Sequence, residues 1–182
     1  MQIETDRLIL RPLKLSDEDN LHEYQSNPNI VAYIPWPERT REQVREALVK
    51  AIASQKAHLE NESDVIILCW ESKSTGKVIG QSNLSLQSVT DKRAEIGWVT
   101  HQDYQRKGFA YEASMQMLNL AFTHNDIHRV VANIDTRERE SASLARKLGM
   151  RREATFLEAE FFKGSWCDMW LYAILTSEFN RH

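Results

Sequence analysis

The stretch Glu95-Ile96-Gly97-Trp98-Val99-Thr100, followed four residues later by Gln105-Arg106-Lys107-Gly108-Phe109-Ala110, decides how this 182-residue chain is read. The first six residues form a β-strand; the run from about Gly108 to His124 forms a helix, and the loop between them carries the chemistry. The first N–H groups of a helix have no acceptor inside it, and the helix dipole is positive at that end. A phosphate can take those hydrogen bonds. Gly108 clears the approach and Ala110 keeps the next turn small, while Arg106 and Lys107 add positive charge. The competing reading is a solvated basic loop at a plain helix start. The loop has neither the Gly-x-Gly-x-x-Gly of a dinucleotide site nor the Gly-Lys-Ser/Thr of a P-loop, which leaves a pyrophosphate of another kind.

Outward from this core, Arg7 to Arg11 alternates charged and apolar residues and stops at Pro12, as a first strand near a sheet edge does. Ser16 is expected to cap a short helix ending near Ser26, and Thr40 to cap a longer amphipathic one. Val65 to Trp70 is an apolar run too short for a helix, hence a central strand. It pairs through the Ser74-Thr75-Gly76-Lys77 turn with the strand from Val78 to Leu86. Arg129 to Ile134 is a strand parallel to the one before the loop, since a helix lies between them. Asp135-Thr136-Arg137-Glu138 has capping-box spacing with Asp135 as the cap, and the helix it opens ends at Gly149. Two long strands, Arg151 to Phe162 and Trp166 to Leu175, close the chain around Lys163-Gly164-Ser165. The pattern is that of one three-layer α/β domain over residues 1–182, with a mixed central sheet and helices on both faces.

Hydrophobic residues at 42% and charged residues at 27% are ordinary globular values. No apolar run is long enough to span a bilayer, and the first residues lack the charge pattern of a signal peptide, so a cytoplasmic protein without a membrane partner is expected. A net charge of −3, with both signs interleaved, argues against a nucleic-acid partner. Cys69 and Cys167 are the only cysteines and lack metal spacing. Cys69 is expected to be inert packing. His124 and His128 are separated by a helix-ending Asn125-Asp126, so no metal is expected.

Gln-x-x-Gly-x-Ala after a Glu-Ile-Gly-Trp-Val strand resembles the acetyl-coenzyme A loop of the GNAT superfamily of N-acetyltransferases. Glu4-Thr5-Asp6-Arg7-Leu8-Ile9-Leu10-Arg11 is similar to the first strand of its branch of RimJ- and RimL-type N-terminal acetyltransferases. Lys147-Leu148-Gly149-Met150 is similar to the end of that superfamily's fourth helix, and Gly164 to Asp168 to its last hairpin. The resemblance implies the GNAT fold and acetyl-coenzyme A as co-substrate. Its pyrophosphate would lie on Gln105, Arg106, Lys107, Gly108, Phe109 and Ala110, its pantetheine arm along Trp98, Val99 and Thr100. Glu138 stands where many members carry an Asn at the start of the fourth helix, and Ala145 where they carry a Tyr acid. Ser141 matches a serine of the RimL-like branch and is a candidate hydrogen-bond donor to the sulfur. The resemblance also implies an acceptor wall at Tyr33, Ile34 and Trp36, although aromatics in a Pro-rich loop equally serve to pin it to the core.

Chemistry adds two further expectations. A bulge at Gly97 would free a backbone N–H to polarise the acetyl carbonyl. An amine must lose a proton, for which Glu95 is the first candidate base and Glu160 the second; a solvated strand carboxylate or salt-bridge partner is the plain alternative for Glu95. An α-amino group, with a pKa near ~8, asks less of a base than a lysine near ~10.4. The function expected is direct acetyl transfer to a primary amine, a protein N-terminus first. A small-molecule amine acceptor (amino acid, polyamine or antibiotic) and a non-catalytic acyl-coenzyme A sensor are the alternatives. The protein would act as a monomer or homodimer.

Overall fold

The structure, a computed structural model, describes residues 1–179. Eight strands form one sheet: β1 (Ile3–Glu4), β2 (Leu8–Arg11), β3 (Val65–Ser72), β4 (Val78–Ser88), β5 (Arg93–Thr100), β6 (Arg129–Asp135), β7 (Arg151–Phe162) and β8 (Ser165–Leu175). Their spatial order is β1-β2-β3-β4-β5-β6-β8-β7, so β8 lies between β6 and β7 and leaves β7 at the edge. All neighbours are antiparallel except β5 and β6, as the helical crossover between them requires. Lys163 and Gly164, both at positive φ, make the tight turn that joins β7 to β8.

Apolar side chains on the two faces form two cores. On one face Ala94 and Ile96 pack with Ala113, Met117 and Leu118 of α4 (Phe109–Asn119) and Ala142 and Ala145 of α5 (Arg139–Lys147). On the other, Cys69, Val78 and Val99 pack with Leu21 and Tyr24 of α1 (Glu18–Gln25) and Val44 and Leu48 of α3 (Arg41–Ser54). Between α1 and α3 a one-turn α2 (Pro28–Val31) starts at Asn27, whose side chain accepts from the Asn29 N–H. Thr40 caps α3 in a reciprocal box with Gln43. A last turn, α6 (Thr176–Phe179), ends the described chain.

Two expected caps are corrected. Ser16 lies inside a 3-10 turn, Leu15–Asp17, and the cap position of α1 falls to Asp17, whose side chain accepts from the Lys14 N–H at 2.8 Å and not from α1. Asp135 does not cap α5. Its carboxylate takes the Arg137 N–H at 2.9 Å and the Arg137 guanidinium at 2.9 and 2.6 Å, and the cap position falls to Glu138. Of the aromatics on the late strands, Trp170 and Tyr172 are core but Trp166 is 60% exposed.

Cys69 is buried, and burial pushes its thiol up to about 12, which suits inert packing. No helix among the described residues is long and apolar enough to cross a membrane.

Candidate functional site

The site begins where two strands part. β5 pairs with β6 over Arg93–Arg129, Ala94–Val130 and Glu95–Val131, and the pairing stops there. On its other side β5 stays in register with β4 from Ala94–Leu86 to Thr100–Gly80. The His101 N–H continues that ladder to the Ile79 carbonyl at 2.9 Å. Because backbone groups alternate along a strand, the N–H and C=O of Val99 turn toward β4, and those of Trp98 and Thr100 turn into the gap that β6 has left.

This corrects the expected bulge at Gly97. The register through Asn83–Gly97 is unbroken, and the irregularity in this pair lies between Leu86 and Ser88. Gly97 is small for another reason: a Cβ there would sit 2.6 Å from Asn83 Oδ1. Free backbone donors arise from divergence of the strands instead.

The gap opens into a cavity of about 320 Å3. Its lining includes Trp98, Val99 and Thr100 on β5, Gln105, Arg106, Gly108, Phe109 and Ala110 on the loop, Ile34 beyond α2, and Glu138 and Ser141 at the start of α5. Gly108 has φ +83° and Arg106 φ +59°, so the loop turns sharply just before α4 begins. The first helical bond runs from the Glu112 N–H to the Gly108 carbonyl at 3.1 Å. The N–H groups of the opening turn therefore have no acceptor from within the helix.

Other side chains hold this loop. Arg7 donates to the Lys107 carbonyl at 2.9 Å, stacks over Phe109 at 4.3 Å, and pairs with Glu112 at 2.7 Å. Burial raises the Glu112 pKa, but the Thr5 hydroxyl and the Arg7 N–H and guanidinium outweigh it and leave the carboxyl below its ordinary value. Gln105 Nε2 donates to the Thr100 carbonyl at 3.3 Å. The part played by Arg7 was visible only as a charge before Leu8; the sheet order that lays β2 against α4 was not.

Several expected site residues lie elsewhere. Lys107 folds back, donating to the Asp103 carbonyl at 2.7 Å, and does not line the cavity. Tyr33 and Trp36 also lie outside the lining; Arg137 stacks over Tyr33 and Arg39 over Trp36, each at 5.0 Å. Arg106 lines the cavity but is 82% exposed and paired with Glu140 at 2.6 Å.

Glu95 sits at the last paired rung, at the vertex of the gap. It shares a sheet face with Gly97 and Val99, opposite α4 and α5. Burial raises its pKa; the Asn133 amide, donating at 3.2 Å, opposes that, and the charge of Glu160 on β7 adds to the rise. The two candidate bases are thus electrostatic neighbours outside the lining of the cavity.

Inside the cavity Trp98 Nε1 donates to Ser141 Oγ at 3.2 Å. Burial raises the Glu138 pKa, the nearby Ser141 hydroxyl opposes it, and the charges of Asp135 and Glu140 raise it further. Among the described residues no group of three or more His, Cys, Asp or Glu side chains is arranged to hold a metal.

A family model described as an acetyltransferase (GNAT) domain matches residues 7–151. An uncharacterised N-acetyltransferase of Bacillus subtilis, YnaD, is 31% identical over 99% of this chain and all of its own. A GNAT-family acetyltransferase structure from Bacillus anthracis superposes with a TM-score of 0.86 at 28% identity, covering 98% of this chain and all of that one. Spermidine N-acetyltransferase from Vibrio cholerae, solved with CoA and spermine, shares the fold at a TM-score of 0.80 and 21% identity, covering 97% of this chain and 99% of that one.

Proposed function

The chain belongs to the GNAT acetyltransferase family, and from that premise we propose that it moves the acetyl group of acetyl-coenzyme A directly onto the α-amino group of a peptide or protein N-terminus. It is an N-acetyltransferase; the acceptor and the residue roles are what is proposed. The observation that carries the reading is the gap between β5 and β6, which opens into a cavity lined by both the outward-facing N–H groups of Trp98 and Thr100 and the loop at the head of α4. An extended arm with amide groups fits the first, and a pyrophosphate fits the second. Lys107, turned away, is left to contribute field more than contact.

Backbone N–H groups on the open edge of β5 supply the hydrogen bond to the carbonyl oxygen as it gains charge. Glu95 is the proposed base. At about 3.3 Å of rise per residue it lies roughly 10 Å along the strand from Trp98, so it takes the proton through water. An amine with a pKa near ~8 is already partly neutral at pH 7, which suits a base at that distance. The acid limb of kcat/KM then has two ionisations, the amine's own and that of Glu95 above its ordinary value. Glu95→Gln is expected to lower kcat by about 10²-fold or more and to reduce the limiting slope of that limb from two to one. An unchanged slope would remove Glu95 from the proton path.

Arg39 lies over Trp36, and the Lys163 ammonium donates to the Val31 carbonyl at the end of α2. This cationic rim supports an acceptor with one amine over a polycation, which would meet like charge. The charge that Glu160 places on Glu95 favours the second reading, a polyamine, which is the substrate class named for the Vibrio cholerae neighbour. Initial rates varied against acetyl-coenzyme A and a free-N-terminus peptide should give intersecting lines, as transfer within a ternary complex requires. Parallel lines would point to an acetylated enzyme and contradict it.

A further inference from the structure

β5, which borders the gap, runs into a histidine that does not line the cavity. His101 is 4% exposed, and its imidazole caps the 3-10 turn Gln102–Tyr104 that delivers the chain to Gln105. Its Nδ1 accepts from the Asp103 N–H at 3.2 Å. A backbone N–H can only donate, so Nδ1 is bare and the proton of the neutral ring sits on Nε2. There the Glu23 carboxylate of α1 accepts it, with Oε2 at 3.1 Å. The Gln102 amide, whose oxygen and nitrogen ends exchange by a flip, stands 3.2 Å from the same nitrogen.

The ring belongs to a row of aromatics that runs from α1 to the head of α4. Tyr24 meets it with ring centres 6.3 Å apart and Tyr104 at 5.6 Å, and Phe109 lies 6.0 Å from Tyr104. Tyr104 and Phe109 line the cavity, and the Tyr104 N–H donates to the His101 carbonyl at 2.9 Å. The carbonyl of Asp103, whose N–H the imidazole holds, is also the one that takes the Lys107 ammonium. The imidazole therefore fastens this turn, and through it the loop, to α1.

We propose that His101 is the positioning residue of the acetyl-coenzyme A loop, fastening it only while Nδ1 is bare, so that a second ring proton loosens the loop and weakens acetyl-coenzyme A binding. This rests on the acetyl-transfer reading above. In the imidazolium both nitrogens are donors, and no rotation of the ring offers the Asp103 N–H an acceptor. The turn then opens or leaves that N–H unpaired, and either change moves Tyr104 and the carbonyl that holds Lys107. The groups around the ring act in opposite senses. Glu23 on α1 favours the second proton, and Lys77, just before β4, draws on the same carboxylate from 3.7 Å. The Asp103 N–H opposes it. Tyr24 and Tyr104 present their rings, and Lys107 adds a positive charge 5.7 Å from the Tyr104 ring centre. Imidazole side chains change charge between about pH 5 and 8. Affinity is thus held at the upper end of that range and lost as pH falls through it.

Calorimetric titration with acetyl-coenzyme A at about pH 7.5 and about pH 5.5 tests this, with His101→Asn and His101→Phe beside wild type. Asparagine accepts from an N–H two residues on but takes up no proton here, whereas phenylalanine fills the space and accepts nothing. At the higher pH the Kd of His101→Phe is expected to rise about tenfold, and His101→Asn to recover most of that loss. From the higher to the lower pH, the wild-type Kd is expected to rise about fivefold more than that of His101→Asn, which shares every other titrating group. In the free protein at the higher pH, long-range proton–nitrogen NMR spectra should place the ring proton on Nε2, the His101 signals being identified by their loss in His101→Asn. Should His101→Phe fail to fold, the pH comparison and the tautomer decide alone. Equal pH dependence in wild type and His101→Asn, equal losses in the two variants, or a ring proton on Nδ1 would each overturn the proposal and leave the transferase reading standing. No binding of acetyl-coenzyme A by wild type at either pH would bring down that reading, and this inference with it.

Discussion

Gly108→Glu is expected to weaken acetyl-coenzyme A binding by more than about 100-fold while leaving the protein folded. Gly108 holds φ +83° at the head of α4, where an L-residue costs about 1–2 kcal/mol. A Cβ built there meets only the flexible Arg7 Nη2, at 3.3 Å, so the fold has room to accept it. What the site does not accept is the charge. A carboxylate at this position takes the dipole's positive end, leaving the phosphates to approach a negative group. Gly108→Asn is the control, because asparagine tolerates positive φ without adding charge. It should keep most of the affinity if charge is the cause. Calorimetric titration of the two variants separates the effects, and equal losses would assign them to backbone strain.

The largest stability effect is expected at Arg11. Its guanidinium is buried, 8% exposed, and makes a two-pronged pair with Asp17, itself 4% exposed, at 2.9 and 2.8 Å. Its Nε donates to Glu71 at 2.6 Å, so one side chain ties β2, the turn before α1, and β3 together. Arg11→Met leaves the Asp17 carboxylate buried without its counter-charge, a change that costs about 3–5 kcal/mol. For a domain of this size that lowers Tm by on the order of 10 °C. Adding Asp17→Leu to Arg11→Met should restore part of the loss, since the uncompensated charge is then gone. A Tm within 2–3 °C of wild type for Arg11→Met, a shift of about 1 kcal/mol, would show that the network does little for stability.

Local patterns carried the parts of the molecule that local physics decides. The Thr40 cap, the apolar run of β3, the glycine turn at Gly164 and the strand–loop–helix around Gly108 are each set by residues a few positions apart, and each is found where the sequence points. The site depends on longer-range facts. That β6 leaves β5 after Glu95, and that β8 lies between β6 and β7, follow from the packing of whole strands. The open N–H groups of this edge therefore come from strand divergence and not from the glycine bulge that Gly97 suggests.

Competition for polar groups explains the other departures. Asp135 has the spacing of a cap, but the Arg137 guanidinium two residues on binds it more strongly than a backbone N–H would. Glu138 is left free to face the cavity. Lys107 is two residues from Gln105 in a phosphate-like motif, yet the Asp103 carbonyl captures its ammonium. Glu112, in the first turn of α4, takes both Thr5 and Arg7 and so holds the start of the chain to the head of the helix.

The account turns on direct acetyl transfer to an α-amino group. The most direct test is to give the protein acetyl-coenzyme A with an equimolar mixture of a free-N-terminus peptide, the same peptide blocked at its N-terminus but bearing a lysine, and spermidine. Free thiol is followed with time and the acetylated products are identified by mass. The account predicts thiol release matched by acetylation of the free N-terminus ahead of the other two amines. Acetylation of spermidine alone, or thiol release no faster than without protein, would contradict it.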